Sequence, residues 1–176
     1  MHAASATASL CLFAFLAAGS AVAAQNANAD AAGQAFADHC FSPFLTAQTA
    51  QANIADVGVR LDFYDLRPFS NAAPSPVVGR AATPGTDRRC EVSFDGANPV
   101  AAFEWLSTGL KQEGLLDRNA PVPAGFQSQD GMSFIGAAQL NPDRIAVVQI
   151  GVRGPADAPE TFMSVERLTP LSEAGQ

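Results

Sequence analysis

The stretch Arg-Arg-Cys-Glu-Val-Ser-Phe, residues 88–94, alternates polar and apolar side chains from its second residue onward and decides the fold. Because successive side chains of a strand point to opposite faces, this run predicts a strand with one face in a core. The apolar face carries Cys90, Val92 and Phe94, and the other face carries Arg89, Glu91 and Ser93. Cys90 is therefore predicted to face inward.

The first 24 residues are predicted to be a cleaved secretory signal, because they contain no Asp, Glu, Lys or Arg. The apolar run LCLFAFLAA, residues 10–18, has the length of a signal h-region and is too short to span a bilayer. Small residues then allow cleavage after Ala23 or Ala24, and a buried N-terminal helix is the alternative. Cys11 would leave with the signal, and the protein is expected in the periplasm or outside the cell.

Export leaves two cysteines, Cys40 and Cys90, in an oxidising compartment. Their wide separation lacks the spacing of a zinc site or a CxxC redox pair, so a disulfide is predicted, with a reactive thiol as the alternative. Residues 30–40 read as a helix with Asp30 as N-cap, and Phe36 shares a face with Cys40. The bridge should therefore join the first helix to the sheet across the core.

The remaining elements are predicted from caps, turns and periodicity. Ser42 and Pro43 would begin a second helix, or a kinked extension of the first, over residues 44–55, and an alternating strand follows from residue 57 to 64. A hairpin pairs residues 77–83 with 88–94 around Pro84-Gly85. Asn98 and Pro99 would begin a further helix that ends at Gly114 and points four apolar residues inward: Val100, Phe103, Leu106 and Leu110.

Three strands, 132–140, 144–153 and 161–168, are predicted to form a meander at the end of the chain. The order helices, hairpin, helix, meander predicts an α+β fold of two layers, in which helices pack on one face of a mostly antiparallel sheet. Residues 25–176 would form one domain with flexible ends at 25–30 and 170–176.

The net charge of the chain limits which macromolecules it is expected to bind. The net charge of −7 and the lack of a basic stripe, with nine Arg and a single lysine, Lys111, disfavour nucleic acid and anionic membranes. His39 is the only histidine after the signal, and no GxSxG, HExxH, GxxxxGK[ST] or GxGxxG motif is present. No catalytic residue, metal site or cofactor is therefore predicted.

A weak ligand or interface site is predicted on the residue 57–64 strand, where Arg60, Asp62 and Tyr64 share a face that should be open to solvent. A plain polar surface is the alternative. Asp62 and Asp65 are the best local carboxylate pair for acid–base chemistry. Trp105 is predicted either to anchor an interface or to lie at the edge of the core.

The stretches FADHCFSPFLTAQTA, FYDLRPFS and DRRCEVSFDG, which begin at residues 36, 63 and 87, resemble small secreted proteins of alphaproteobacteria. The resemblance implies one family with a disulfide between its two cysteines and implies no activity. The leading hypothesis is a soluble exported accessory protein that binds a protein partner or a small ligand. A carboxylate-dependent hydrolase and an envelope structural component are the alternatives, and the latter requires a sizeable exposed apolar patch.

Overall fold

Three helices and a five-stranded antiparallel sheet make up the fold, which confirms the predicted α+β class. The computed structural model describes residues 27–55, 59–65, 85–124, 126 and 131–168. The predicted signal segment and the predicted strand over 77–83 lie outside these residues. The predicted hairpin of 77–83 with 88–94 is wrong, because residues 88–93 pair with 60–65 on one side and with 162–167 on the other. Among the described residues, none of the helices has both the length and the apolar character needed to cross a membrane.

The helices are α1, which covers residues 27–35 and continues as a π-helical turn over Phe36–Cys40, α2 at Ala47–Asn53 and α3 at Pro99–Gln112. The strands are β1 at Arg60–Asp65, β2 at Thr86–Asp95, β3 at Met132–Asn141, β4 at Arg144–Arg153 and β5 at Glu160–Leu168. Their order across the sheet is β1-β2-β5-β4-β3.

The predicted meander is confirmed, because β3, β4 and β5 follow one another along the chain and pair antiparallel. Its last strand, β5, pairs with β2, which places β5 at the centre of the sheet. On its other side β2 pairs with β1, so that Cys90 lies opposite Phe63 on one neighbour and Val165 on the other. The β2 alternation predicted from sequence therefore sets the two faces of the whole sheet.

Two predicted helix starts are wrong. The chain is already helical at residue 27, so Asp30 is not an N-cap. The cap of α2 is Thr46, whose hydroxyl accepts from the Thr49 N–H while the Thr49 hydroxyl accepts from the Thr46 N–H. This reciprocal pair satisfies two backbone donors at the first turn and makes Thr46, rather than Ser42, the N-cap.

The end of α1 is fastened to the sheet by a disulfide and two arginines. Cys40 and Cys90 are both fully buried and bonded, with 5.4 Å between their α-carbons, so the predicted bridge is confirmed. Arg88 donates to the Cys40 carbonyl at 3.4 Å, and Arg167, its partner in register on β5, donates to the Phe41 carbonyl. The positive charges of the two arginines also interact favourably with the negative C-terminal end of the α1 dipole.

Small residues determine how α3 packs on α1. A β-carbon at Gly109 would collide with the Phe41 ring, and one at Gly33 would collide with the Trp105 ring. The two helices therefore approach closely only because both positions are glycine. Trp105 is partly buried in the core by this contact, which matches the core-edge alternative predicted for it.

The inward face of α3 differs from the predicted one. Leu106 is buried and Leu110 is packed against the core as expected, but Val100 is 72 % exposed and Phe103 is 44 % exposed. Ala102 and Gly109 are buried in their place. The contact with α1 requires small side chains, so the α3 face that carries Ala102 and Gly109 is buried and the face that carries Val100 and Phe103 points away from the core. The Asn98 cap and Pro99 at the first helical position are confirmed.

Candidate functional site

The predicted site residues of β1 lie on the sheet face opposite the helices. Asp62 pairs in register with Glu91 and Tyr64 with Arg89, both from the polar face of β2. Arg60 is exposed as predicted and Tyr64 is partly buried, but only 3 % of Asp62 is exposed, so the prediction of a face open to solvent is wrong at Asp62. We call the buried polar residues of this face the polar cluster: Asp62, Arg89, Glu91, Ser93, Gln149, Ser164 and Glu166.

Ion pairs connect the polar cluster to the rim of the sheet. The Arg89 guanidinium lies 3.2 Å from the Asp62 carboxylate, and both side chains are almost fully buried. Arg153 binds Glu91 at 2.6 Å and Glu160 at 2.7 Å, so one guanidinium bridges two strands. These ion pairs give the buried charges of Asp62, Arg89 and Glu91 partners of opposite sign, which offsets part of the cost of burying them.

The pKa directions at the rim agree with this pairing. Burial alone would raise the pKa of Glu160, but hydrogen bonds from Ser93 and Arg153 and the charges of Arg153 and Arg60 outweigh it and lower that pKa below 4.5. Burial alone would likewise lower the pKa of Arg153, yet Glu91 and Glu160 raise it. Both groups are therefore held in their charged forms.

Asp62 and Asp65 do not act as a carboxylate pair. They are three residues apart on β1, so they project to opposite faces of the sheet. Asp65 lies opposite Arg88, whose guanidinium binds carbonyls on the helical side, while Asp62 binds Arg89 on the other side. No group of three or more metal-ligating side chains is found in the described part of the chain.

A second region has the opposite character. An open cavity of about 420 Å³ lies between the start of α3 and the strands β3 and β4. We call it the α3–β3 groove, and its lining consists of Pro99, Val100, Phe103, Glu104, Ser133, Phe134 and Ile150. Most of this lining is apolar, and the volume lies within the range of about 300–1,000 Å³ that is usual for small-molecule sites.

Local contacts fix the groove. The Thr161 hydroxyl accepts from the Asn98 N–H at 2.9 Å and donates to the Gly96 carbonyl, which anchors the start of α3 to β5. The Phe103 and Phe134 rings meet edge to face with centroids 5.0 Å apart. Because both walls are held by these contacts and Ile150 below is fully buried, the groove is formed without a ligand.

Sequence reasoning missed the groove because it assigned Val100 and Phe103 to the core. The signal that could have found it is the pattern of small residues on α3. Ala102 and Gly109 are seven residues apart, two turns along the helix, and mark a face for close approach of another helix. Val100 and Phe103 lie off that face, so large apolar side chains there indicate a second contact surface.

Comparison with protein-family models, with curated proteins and with solved structures found no match.

Proposed function

We propose that this chain is an exported accessory protein that binds the apolar part of a small ligand in the α3–β3 groove. The observation that carries the proposal is the exposure of Val100 and Phe103 beside an apolar cavity in a domain that buries most of its other large apolar side chains. A ligand that covers apolar surface in a preformed cavity removes this surface from water, which lowers the free energy of the complex. The disulfide and the signal-like N-terminus support export.

A small ligand is favoured over a protein partner by the size of the surface. Four large apolar side chains are exposed among the described residues, and two of them, Phe44 and Leu116, lie outside the groove. A stable protein interface buries about 800 Å² on each partner, which is far more than Val100 and Phe103 offer. The same shortage disfavours an envelope structural component, which needs a broad apolar patch.

Nile red, an uncharged dye whose fluorescence rises in apolar surroundings, tests this proposal. We expect saturable binding of one dye per chain and about tenfold weaker binding by Phe103→Ser, because part of the ring's contact area is lost. Phe44→Ser is the matched control, since Phe44 is 85 % exposed and does not line the groove. Equal loss in both variants, or saturable binding that Phe103→Ser leaves unchanged, would overturn the proposal.

Sedimentation of the same samples tests whether a second copy covers the groove. The monomer is expected at the concentrations used for dye binding. A dimer that dissociates on Val100→Asp, together with a monomer that binds no dye, would assign the groove to self-association and contradict ligand binding.

A further inference from the structure

We infer that the ligand of the α3–β3 groove is a cationic amphiphile, an alkyl or aryl ammonium compound whose chain lies against Phe103 and Phe134 and whose charge lies at Glu104. The inference rests on the proposed function and adds the charge of the ligand to it. It follows from Glu104, the one ionisable side chain among the described residues that line the groove.

Glu104 supplies a negative charge at the groove. It is exposed on α3, one residue beyond Phe103, and none of the ion pairs seen among the described residues includes it. None of the described residues that line the groove is Arg, Lys or His, so no described side chain there would attract a carboxylate or a phosphate. An anionic ligand would place like charges together, whereas an ammonium group gains a favourable contact.

Ser133 complements this arrangement. This residue lines the groove from β3, and a serine hydroxyl is able to accept a hydrogen bond from an ammonium N–H. The remaining lining is apolar, with Ile150 fully buried beneath it. A ligand with one charged end and an apolar chain matches both parts, while a fully polar cation would leave the Phe103 and Phe134 surface exposed.

The overall charge of −7 favours any cation, so the local effect must be separated from the global one. Glu104→Gln removes the charge at the groove. Glu113→Gln removes one equal charge from the exposed end of the same helix, outside the groove lining, and serves as the matched control.

Displacement of Nile red by decylammonium, 1-decanol and decanoate tests the inference at pH 7, with the two ions below their micelle concentrations and decanol below its solubility limit. We expect decylammonium to bind about two- to fivefold more tightly than decanol, and decanoate to bind less tightly, as for an exposed charge pair. Glu104→Gln should remove these differences and Glu113→Gln should keep them. Raising the salt to about 1 M should also reduce them.

The outcomes separate the two proposals. Equal affinities for the three compounds, or equal effects of Glu104→Gln and Glu113→Gln, would overturn the cation assignment while decanol binding still supports an apolar site. If none of the three displaces the dye from the wild type, both the cation assignment and the proposed function fail.

Discussion

On the helix-covered face of the sheet, apolar side chains such as Val92 and Met163 are buried by close packing, whereas the opposite face buries paired charges such as Arg89 and Asp62. The polar groups find partners within the fold. On the helical side, the α3–β3 groove leaves Val100 and Phe103 uncovered. The comparison teaches that the conspicuous ionisable residues of this chain stabilise it, and that the candidate binding surface lies among residues that sequence patterns assign to a core.

The buried ion pair tests the structural role of the polar cluster most strongly. Asp62→Ala leaves the Arg89 guanidinium without the Asp62 carboxylate at an almost fully buried position, and removal of one partner from such a pair costs about 3–5 kcal/mol. Urea unfolding would measure this loss of free energy. The double variant Asp62→Leu/Arg89→Met should recover most of it, because apolar replacements of a buried pair are often neutral. A loss below about 1 kcal/mol in Asp62→Ala would contradict the assignment.

On the helix-covered face, removal of the disulfide tests how much the bridge contributes to stability. Cys40 and Cys90 are 50 residues apart, and closure of such a loop stabilises the fold by about 4 kcal/mol on the chain-entropy model. The double variant Cys40→Ala/Cys90→Ala should lose about that much in urea unfolding, and the reduced wild type should behave in the same way. Two free thiols in the non-reduced protein, detected by mass spectrometry, would contradict the bridge.

The bridge could be predicted because each half depends on local periodicity. Phe36 and Cys40 are one helical turn apart, and Cys90 and Val92 alternate on a strand, so both cysteines had to face the core. The burial of Asp62 could not be predicted in this way. The alternation of β1 gives its two faces correctly, but sequence does not tell which charged residues become covered when β1 pairs with β2.

The prediction of which face of α3 points inward was wrong for a related reason. A helix with apolar residues on more than one stripe fits a core in several rotations, and the choice depends on its neighbour. Here Gly33 and Gly109 allow α1 and α3 to approach, and this contact decides which stripe is buried. Steric fit between two distant segments is a tertiary property that periodicity within one segment does not contain.

Two positions on α3, one turn apart, test which face of this helix is buried. Leu106→Ala removes a side chain that is 1 % exposed and should cost about 2–5 kcal/mol. Phe103→Ser removes a half-exposed ring and should cost about 0.5–1.5 kcal/mol, mainly through the contact with Phe134. Thermal unfolding of the two variants measures both. If Phe103→Ser were as destabilising as Leu106→Ala, the ring would belong to the core and the groove would lose its main wall.

The smallest effect concerns the rim of the polar face. The pKa of Glu160 is lowered in the fold, so its pairing stabilises the protein above the unfolded pKa of about 4.5 and is lost as the pH falls through the folded value. Glu160→Gln should therefore reduce stability at pH 6 by about 0.2–1 kcal/mol, as for a partly exposed ion pair, and the difference from wild type should vanish near pH 2. Urea unfolding at both pH values measures it, and Glu113→Gln on the exposed end of α3 is the control for net charge. A difference between Glu160→Gln and wild type that persists unchanged at pH 2 would mean that shape, and not the charge on Glu160, holds Arg153 between the two strands.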